Sequence, residues 1–123
     1  MAKILIAEDD AVLREFVVRA LGGDGHHLTE TADGATALNA LKQSNGEFDL
    51  LLTDVKMPGM DGIALALATG REHPDIPIML MTGYADQRER AHRLDAFVHD
   101  VIANPFSVEQ IKGAVRDALV QRH

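Results

Sequence analysis

The sequence contains no cysteine and no tryptophan, and only 4% of its residues are aromatic. Without cysteine, the chain cannot form a disulfide framework, use a thiol as a nucleophile or hold zinc through thiolates. Positive charge is also scarce, because 12 Lys and Arg residues stand against 19 Asp and Glu residues, for a net charge of −7. Binding along a phosphate backbone requires clustered positive charge, so this balance argues against a nucleic-acid-binding protein.

Long apolar segments are missing as well. No run approaches the roughly 18 apolar residues of a membrane-spanning helix, and the N-terminal segment MAKILIAEDD lacks the apolar region of a signal peptide. The remaining composition, 46% hydrophobic and 25% charged over 123 residues, fits one compact domain. We expect a soluble, cytoplasmic protein without membrane contacts, in which residues 1–123 form a single domain with no output domain.

Several motifs of nucleotide-binding proteins and hydrolases are also absent. The chain has no G-x-G-x-x-G or Walker sequence and no G-x-S-x-G motif. Three acids, Glu8, Asp9 and Asp10, follow the first predicted strand, where a flavodoxin-like nucleotide site needs a phosphate-binding loop. A phosphatase of the haloacid dehalogenase type needs an acid two residues after its nucleophile, whereas Lys56 stands two residues after Asp54.

Apolar strands alternate with amphipathic helices along the whole chain. We predict strands at 3–7, 26–31, 48–53, 76–82 and 98–103, and helices at about 13–21, from about 34, at 62–72, at 86–96 and from about 108. An apolar stripe in the last helix is predicted to face the sheet and consists of Val108, Ile111, Val115 and Leu119. Five alternations with short connections predict an α/β fold with a doubly wound, five-stranded parallel sheet and helices on both faces.

Polar residues follow the predicted strands at the edge where open parallel sheets bind ligands. They are Glu8, Asp9 and Asp10 after the first strand, Asp54 after the third, Thr82 after the fourth and Asn104 after the fifth. Two carboxylates about 5 Å apart repel by roughly 3 kcal/mol at an effective dielectric of 20, which a divalent cation relieves. Hard oxygen ligands without His or Cys suit Mg²⁺, so Asp9 and Asp54 predict a magnesium site. Asp10 is more simply explained as the N-cap of the first helix.

The stretch FDLLLTDVKMPGMDG contains D-x-x-M-P-x-M-D-G from Asp54 to Gly62. Together with Glu8–Asp9, Thr82 and Pro105–Phe106, it resembles the receiver domain of two-component response regulators, and the resemblance covers the whole chain. It implies a flavodoxin-like receiver fold in which Asp54 accepts a phosphoryl group from a histidine kinase or histidine phosphotransfer protein. Such a protein is a switch that catalyses only its own phosphorylation and dephosphorylation, not a turnover enzyme.

The resemblance also assigns roles to individual residues. Mg²⁺ would be held by Glu8, Asp9 and Asp54 and by the backbone carbonyl of Lys56, and the Thr82 hydroxyl would bond the phosphoryl oxygens. The bond before Pro105 would be cis, since X-Pro is where a cis peptide costs little.

Two positions depart from the family pattern. Asn104 stands where the family has a lysine that pairs with the phosphoryl group, and Val101 stands where many members carry an aromatic residue. Losing a charge-assisted contact costs roughly 1.5–3 kcal/mol. We therefore expect phosphorylation to survive and the conformational response to weaken. Lys56 is either a partial replacement for the lysine or a solvent-facing loop residue, and Tyr84 either shields the phosphoryl group or is an exposed loop aromatic.

Output is expected through protein–protein contacts. The segments AEDD, LREFVVRAL, MTGYA and PFS are similar to CpdR-type regulators, whose unphosphorylated form primes the ClpXP protease, so a protease-adaptor role is implied. The charged helix predicted at 86–96 is either a solvated helix or a partner surface. The competing class is a phosphorylation-independent pseudo-receiver that binds a partner, with Asn104 as its main support. A Mg²⁺-dependent hydrolase is disfavoured, because no second acid–base group accompanies Asp54.

Overall fold

The computed structural model of the protein describes residues 2–83 and 98–120. In chain order its elements are β1 (Lys3–Ala7), α1 (Ala11–Gly22), β2 (His27–Thr31), α2 (Gly34–Gln43), β3 (Leu50–Asp54), α3 (Gly62–Glu72), β4 (Ile78–Thr82), β5 (Asp100–Ala103) and α4 (Val108–Val120). The predictions for Tyr84 and for the charged helix at 86–96 lie outside the described residues.

The five strands form one parallel sheet in the order β2-β1-β3-β4-β5. The order reverses between β1 and β3, which are hydrogen-bonded neighbours with Ala7 opposite Thr53. This is the predicted doubly wound α/β fold. In such sheets the reversal point is where ligands bind, just beyond the carboxyl ends of the strands.

The core has two layers because alternate strand residues face opposite sides of the sheet. On one side, Leu5, Leu51 and Leu80 pack under α2 and α3. On the other side, Ile6 and Leu52 pack under α1 and α4. β1, β3 and β4 are therefore covered on both faces, which accounts for their unbroken apolar runs.

Some predicted boundaries and orientations are wrong. β3 begins at Leu50 rather than at residue 48, and β4 begins at Ile78 rather than at residue 76. Pro77, which precedes β4, has no N–H with which to join the ladder. In α4, Val108 is 36% exposed at the first helical position, whereas Ala118 is fully buried and contributes to the face that packs on the sheet.

Aspartates cap the first three helices. Asp10 Oδ1 accepts hydrogen bonds from the N–H groups of Val12 and Leu13 at 2.9 and 3.3 Å, which confirms the cap predicted for α1. Asp33 and Asp61 cap α2 and α3 in the same way. Within the ranges that the structure describes, no helix combines the length and the apolar character needed to cross a membrane.

Candidate functional site

A cleft of about 410 Å³ lies at the carboxyl edge of the sheet, around the reversal point of the strand order. It is lined by Glu8, Asp9, Asp10, Leu13, Asp54, Lys56, Gly83 and Asn104. The acids that follow β1 and the acid that ends β3 meet here because these two strands are hydrogen-bonded neighbours. One carboxylate oxygen from each of Glu8, Asp9 and Asp54 lies within 4.8 Å of the other two. The structure thus brings together the three carboxylates that the sequence predicts to converge.

Glu8 is the most confined of the three acids, with none of its surface exposed. Its Oε2 accepts a hydrogen bond from the Asp10 N–H at 3.0 Å, whereas its buried Oε1 has no hydrogen-bonding partner among the described residues. Burial raises the pKa of Glu8 to about 8. The hydrogen bond from the Asp10 N–H lowers the pKa and so opposes this effect, whereas the negative charges of Asp54 and Asp9 raise it further. At neutral pH, without a cation, the acid cluster formed by Glu8, Asp9 and Asp54 therefore retains a proton.

Asp54 is partly exposed at the end of β3. Its Oδ1 accepts a hydrogen bond from the Val55 N–H at 2.9 Å, which fixes the orientation of the carboxylate. Burial raises the pKa of Asp54 to about 6, the Val55 N–H opposes that effect, and the negative charge of Asp9 adds to it. Above about pH 6 the Asp54 carboxylate is mostly ionised and able to act as a nucleophile or as a metal ligand.

The backbone after Asp54 is held by a close approach of α3. The Gly62 N–H donates to the Val55 carbonyl at 2.8 Å, and a Cβ atom at position 62 would overlap the Asp54 carbonyl oxygen. Only glycine lets the start of α3 lie this close to the end of β3. Gly62 is the last residue of the D-x-x-M-P-x-M-D-G motif, and this close packing explains why the motif ends in glycine.

The remaining predicted site residues differ in how much of their surface is exposed to solvent. Thr82 is buried at the end of β4, and its carbonyl accepts a hydrogen bond from the Asn104 N–H at 2.7 Å. Gly83, rather than Thr82, lines the cleft on that side. Lys56 and Asn104 are both exposed and line the cleft, and the Asn104–Pro105 peptide bond is cis, as the resemblance implies.

Arg14 contacts the site, although sequence reasoning did not single it out. Its Nη1 donates to the backbone carbonyl of Glu8 at 2.6 Å, and its Nε lies 3.4 Å from Oε1 of Glu30. An arginine one turn into an amphipathic helix has no distinctive spacing signal. Its role depends on a contact between a side chain and the backbone of a preceding loop, which periodicity does not reveal.

Comparisons with known proteins point to one family. The family model described as the response regulator receiver domain matches residues 4–116. The response regulator receiver protein CpdR of Brucella abortus (strain 2308) is 47% identical over 85 residues, which is 69% of each chain. A receiver domain protein from Clostridium thermocellum has the same fold, with a TM-score of 0.90 at 19% identity over 98% of this chain and 96% of that one. The response regulator TrrA of Thermotoga maritima, solved in complex with Mg²⁺ and BeF, has a TM-score of 0.85 at 27% identity and covers 97% of this chain and 100% of its own.

Proposed function

Because this chain belongs to the response-regulator receiver family, we propose that it is a phosphoacceptor switch of a two-component phosphorelay. Asp54 accepts the phosphoryl group from a histidine kinase or a histidine phosphotransfer protein, in a Mg²⁺-dependent reaction. The observation that carries the proposal is the convergence of Glu8, Asp9 and Asp54 around a buried Glu8 oxygen that has no partner among the described residues.

The donor set fits a magnesium ion. Three carboxylate oxygens within 4.8 Å of one another form the hard, all-oxygen environment that Mg²⁺ prefers. The buried Oε1 of Glu8 is an acceptor that needs a cation or a donor, since an unpaired buried polar atom is costly. Glu8, Asp9 and Asp54 would hold the ion together with the backbone carbonyl of Lys56. A bound Mg²⁺ would neutralise negative charge on the carboxylates and on the transferring phosphoryl group.

The chain's own groups then carry the transfer. The Val55 N–H holds Asp54 Oδ1, so the carboxylate is oriented before the donor arrives. An Asp54 oxygen forms a bond to phosphorus while the bond from phosphorus to the donor's imidazole nitrogen breaks, and that nitrogen keeps the electron pair. The product is an acyl phosphate at the end of β3. In this role the domain modifies itself once per signal and is not a turnover enzyme.

Thr82 and Asn104 are proposed to form hydrogen bonds with the phosphoryl group after it is attached to Asp54. Thr82 is buried at the end of β4, and Asn104 is joined to it through the backbone hydrogen bond between β4 and the residue after β5. The Thr82 hydroxyl would donate to the phosphoryl oxygens, and the Asn104 amide would add a neutral donor where the family has a lysine. Because a neutral donor binds an anion more weakly than a cation does, we expect a muted response.

Treatment with acetyl phosphate and Mg²⁺, followed by intact-mass measurement, tests this function. The wild type should gain one phosphoryl group, while Asp54→Asn and wild type in EDTA should gain none. Asp61→Asn, which alters a neighbouring aspartate that caps α3, should still be modified. A phosphoryl mass on the Asp54→Asn protein would contradict the assignment.

A second candidate is a phosphorylation-independent pseudo-receiver that binds a partner, and the specific observation in its favour is the exposed Asn104 in the cleft. The same experiment separates the two candidates, because a pseudo-receiver gains no phosphoryl mass from acetyl phosphate.

We propose protein–protein contacts of the receiver surface as the output, in the cytoplasm, on the strength of the similarity to CpdR. In that case the unphosphorylated form acts as an adaptor for the ClpXP protease, and phosphorylation releases it. Pull-down with ClpX should retain the untreated protein more strongly than the protein saturated with Mg²⁺ and beryllofluoride. Equal retention of the two forms would contradict a phosphorylation-controlled adaptor.

A further inference from the structure

We infer that Arg14 is a positioning residue for the acid cluster, because its guanidinium binds both the backbone carbonyl of Glu8 and the carboxylate of Glu30. The inference rests on the proposed Mg²⁺ site and assigns it a supporting side chain outside the set of carboxylates. In this role Arg14 sets the backbone from which the Glu8 and Asp9 side chains project.

Glu8 lies one residue beyond the end of β1, where regular strand pairing stops. Its N–H still donates to the carbonyl of Thr31 at 3.0 Å, which ties it to the end of β2. Its carbonyl accepts from Arg14 Nη1 at 2.6 Å. Both halves of the Glu8 main chain are therefore anchored, one by the neighbouring strand and the other by a side chain. Buried backbone groups require hydrogen-bonding partners. The Arg14 side chain supplies for the Glu8 carbonyl the donor that a neighbouring strand supplies inside the sheet.

The guanidinium is itself fixed from two sides. The Arg14 side chain is only 22% exposed, and its Nε faces Oε1 of Glu30 at 3.4 Å. Glu30 belongs to β2, the edge strand beside β1. The planar guanidinium can bind two acceptors at fixed angles, which a lysine ammonium cannot reproduce in the same way. Arg14 thus links the loop that carries the acids to the outer strand of the sheet.

Positioning and electrostatics predict opposite effects on Mg²⁺ binding. A positive charge near three carboxylates opposes the arrival of a divalent cation, so removing it should tighten binding if charge alone matters. If Arg14 instead holds the Glu8 backbone in place, removing it should weaken binding. Loss of a supporting hydrogen bond outside the ligand set typically costs about 10- to 100-fold in metal affinity.

The test is isothermal titration calorimetry of the metal-free protein with MgCl₂ at fixed ionic strength. Arg14→Gln should raise the Mg²⁺ dissociation constant about tenfold. Arg19→Gln is the matched control, since Arg19 lies on the same helix and pairs with Glu15 at 2.7 Å on an exposed face. Arg19→Gln removes the same charge without contacting residues 8–10, so its Mg²⁺ dissociation constant should stay at or slightly below the wild-type value. The thermal midpoint in EDTA and the amide signals of residues 8–10 report separately on folding and on loop geometry.

Arg14→Lys keeps the charge and can make only part of the contact, so its dissociation constant should lie between those of wild type and Arg14→Gln. If Arg14→Gln does not fold, Arg14→Lys decides, and wild-type affinity in that variant would overturn the inference. Wild-type or tighter binding by Arg14→Gln, or equal weakening by Arg19→Gln, would overturn it as well, while leaving the proposed function intact. A wild type that binds no Mg²⁺ would instead overturn the metal site of the proposed function, and the role of Arg14 with it.

Discussion

Glu8 is a carboxylic acid in surroundings that disfavour its charge. It is fully buried, it lies beside two other carboxylates, and one of its oxygens has no hydrogen-bonding partner among the described residues. Its pKa of about 8 follows from burial first, and the charges of Asp54 and Asp9 raise it further. The metal-free protein therefore holds a proton on Glu8 at the proposed Mg²⁺ site, so protons and Mg²⁺ would compete for the same oxygens.

This competition predicts how stability depends on pH. The pKa of Glu8 is about 8 in the folded protein and 4.5 ordinarily, so folding takes up a proton between these values. Its contribution to the free energy of unfolding is complete below pH 4.5 and is lost as the pH rises to about 8. In EDTA, the thermal midpoint of the wild type should fall over this range more steeply than that of Glu8→Gln.

The control for this pH series is Glu15→Gln, which alters an exposed glutamate of α1 and should follow the wild type. Saturating Mg²⁺ should flatten the wild-type curve, because the ion replaces the proton. Equal slopes for wild type and Glu8→Gln would contradict the buried, protonated state of Glu8.

Asp9 supplies an independent prediction at the same scale. Its carboxylate oxygen lies within 4.8 Å of those of Glu8 and Asp54. Millimolar Mg²⁺ should raise the thermal midpoint of the wild type, because a ligand that binds only the folded state stabilises it. Asp9→Ala should show no such rise in a thermal-shift measurement. An equal rise in both proteins would place the metal elsewhere.

At the scale of elements, strand ends and helix starts are packed so that the loops between them hold the site. Asp10 caps α1 and its N–H binds Glu8, so one residue both begins a helix and orients a metal-ligand candidate. Gly62 begins α3 directly against the backbone of Asp54. These contacts fix the starts of α1 and α3 relative to the ends of β1 and β3.

Gly62→Ala tests this close approach. The added methyl group would overlap the Asp54 carbonyl oxygen, and backbone there cannot move aside easily. We expect a loss of about 1–3 kcal/mol in the free energy of unfolding, measured by urea denaturation. Gly113→Ala is the matched control, since a Cβ at that position in α4 has no neighbour within 4 Å. That change should stabilise the protein by about 0.5–1 kcal/mol, and a neutral Gly62→Ala would contradict the packing described.

The elements and the acid cluster could both be predicted from the sequence because of the way in which parallel sheets are built. Strands covered on both faces need continuous apolar runs, and parallel strands bring the residues after their carboxyl ends to one edge. Orientation within helices was harder to predict. Val108 belongs to an apolar stripe by spacing, yet it is exposed because it occupies the first position of α4, and the small residue Ala118 is buried instead. The contact of Arg14 with the Glu8 carbonyl joins a helix side chain to the backbone of the preceding loop, and no sequence pattern encodes it.

For the whole molecule, the charge distribution governs how strongly a signal can propagate. The chain carries a net charge of −7, and the cleft at the reversal point of the sheet holds four carboxylates, Lys56 and the neutral Asn104. A phosphoryl group would add negative charge to this cleft with little positive charge to receive it. Because the neutral amide of Asn104 binds an anion more weakly than a lysine ammonium would, we expect a modest rearrangement of β5 and α4.

Asn104→Lys tests that expectation. A lysine there adds a cation next to the carboxylates, so it should weaken Mg²⁺ binding and stabilise the metal-free fold. With Mg²⁺ and beryllofluoride, it should enlarge the amide chemical-shift changes in β5 and α4 relative to wild type. Shifts of equal extent in the two proteins would mean that Asn104 or Lys56 already performs the role of the lysine.

The proposed function requires that Asp54 become an acyl phosphate in a Mg²⁺-dependent reaction. Acyl phosphates are reduced to alcohols by borohydride, so peptide mass mapping after phosphorylation and reduction locates the modified residue directly. We expect one reduced position, Asp54, in the Mg²⁺-treated protein and none in EDTA. Reduction at Asp9 or Asp61 instead, or no reduced residue under saturating acetyl phosphate and Mg²⁺, would contradict it.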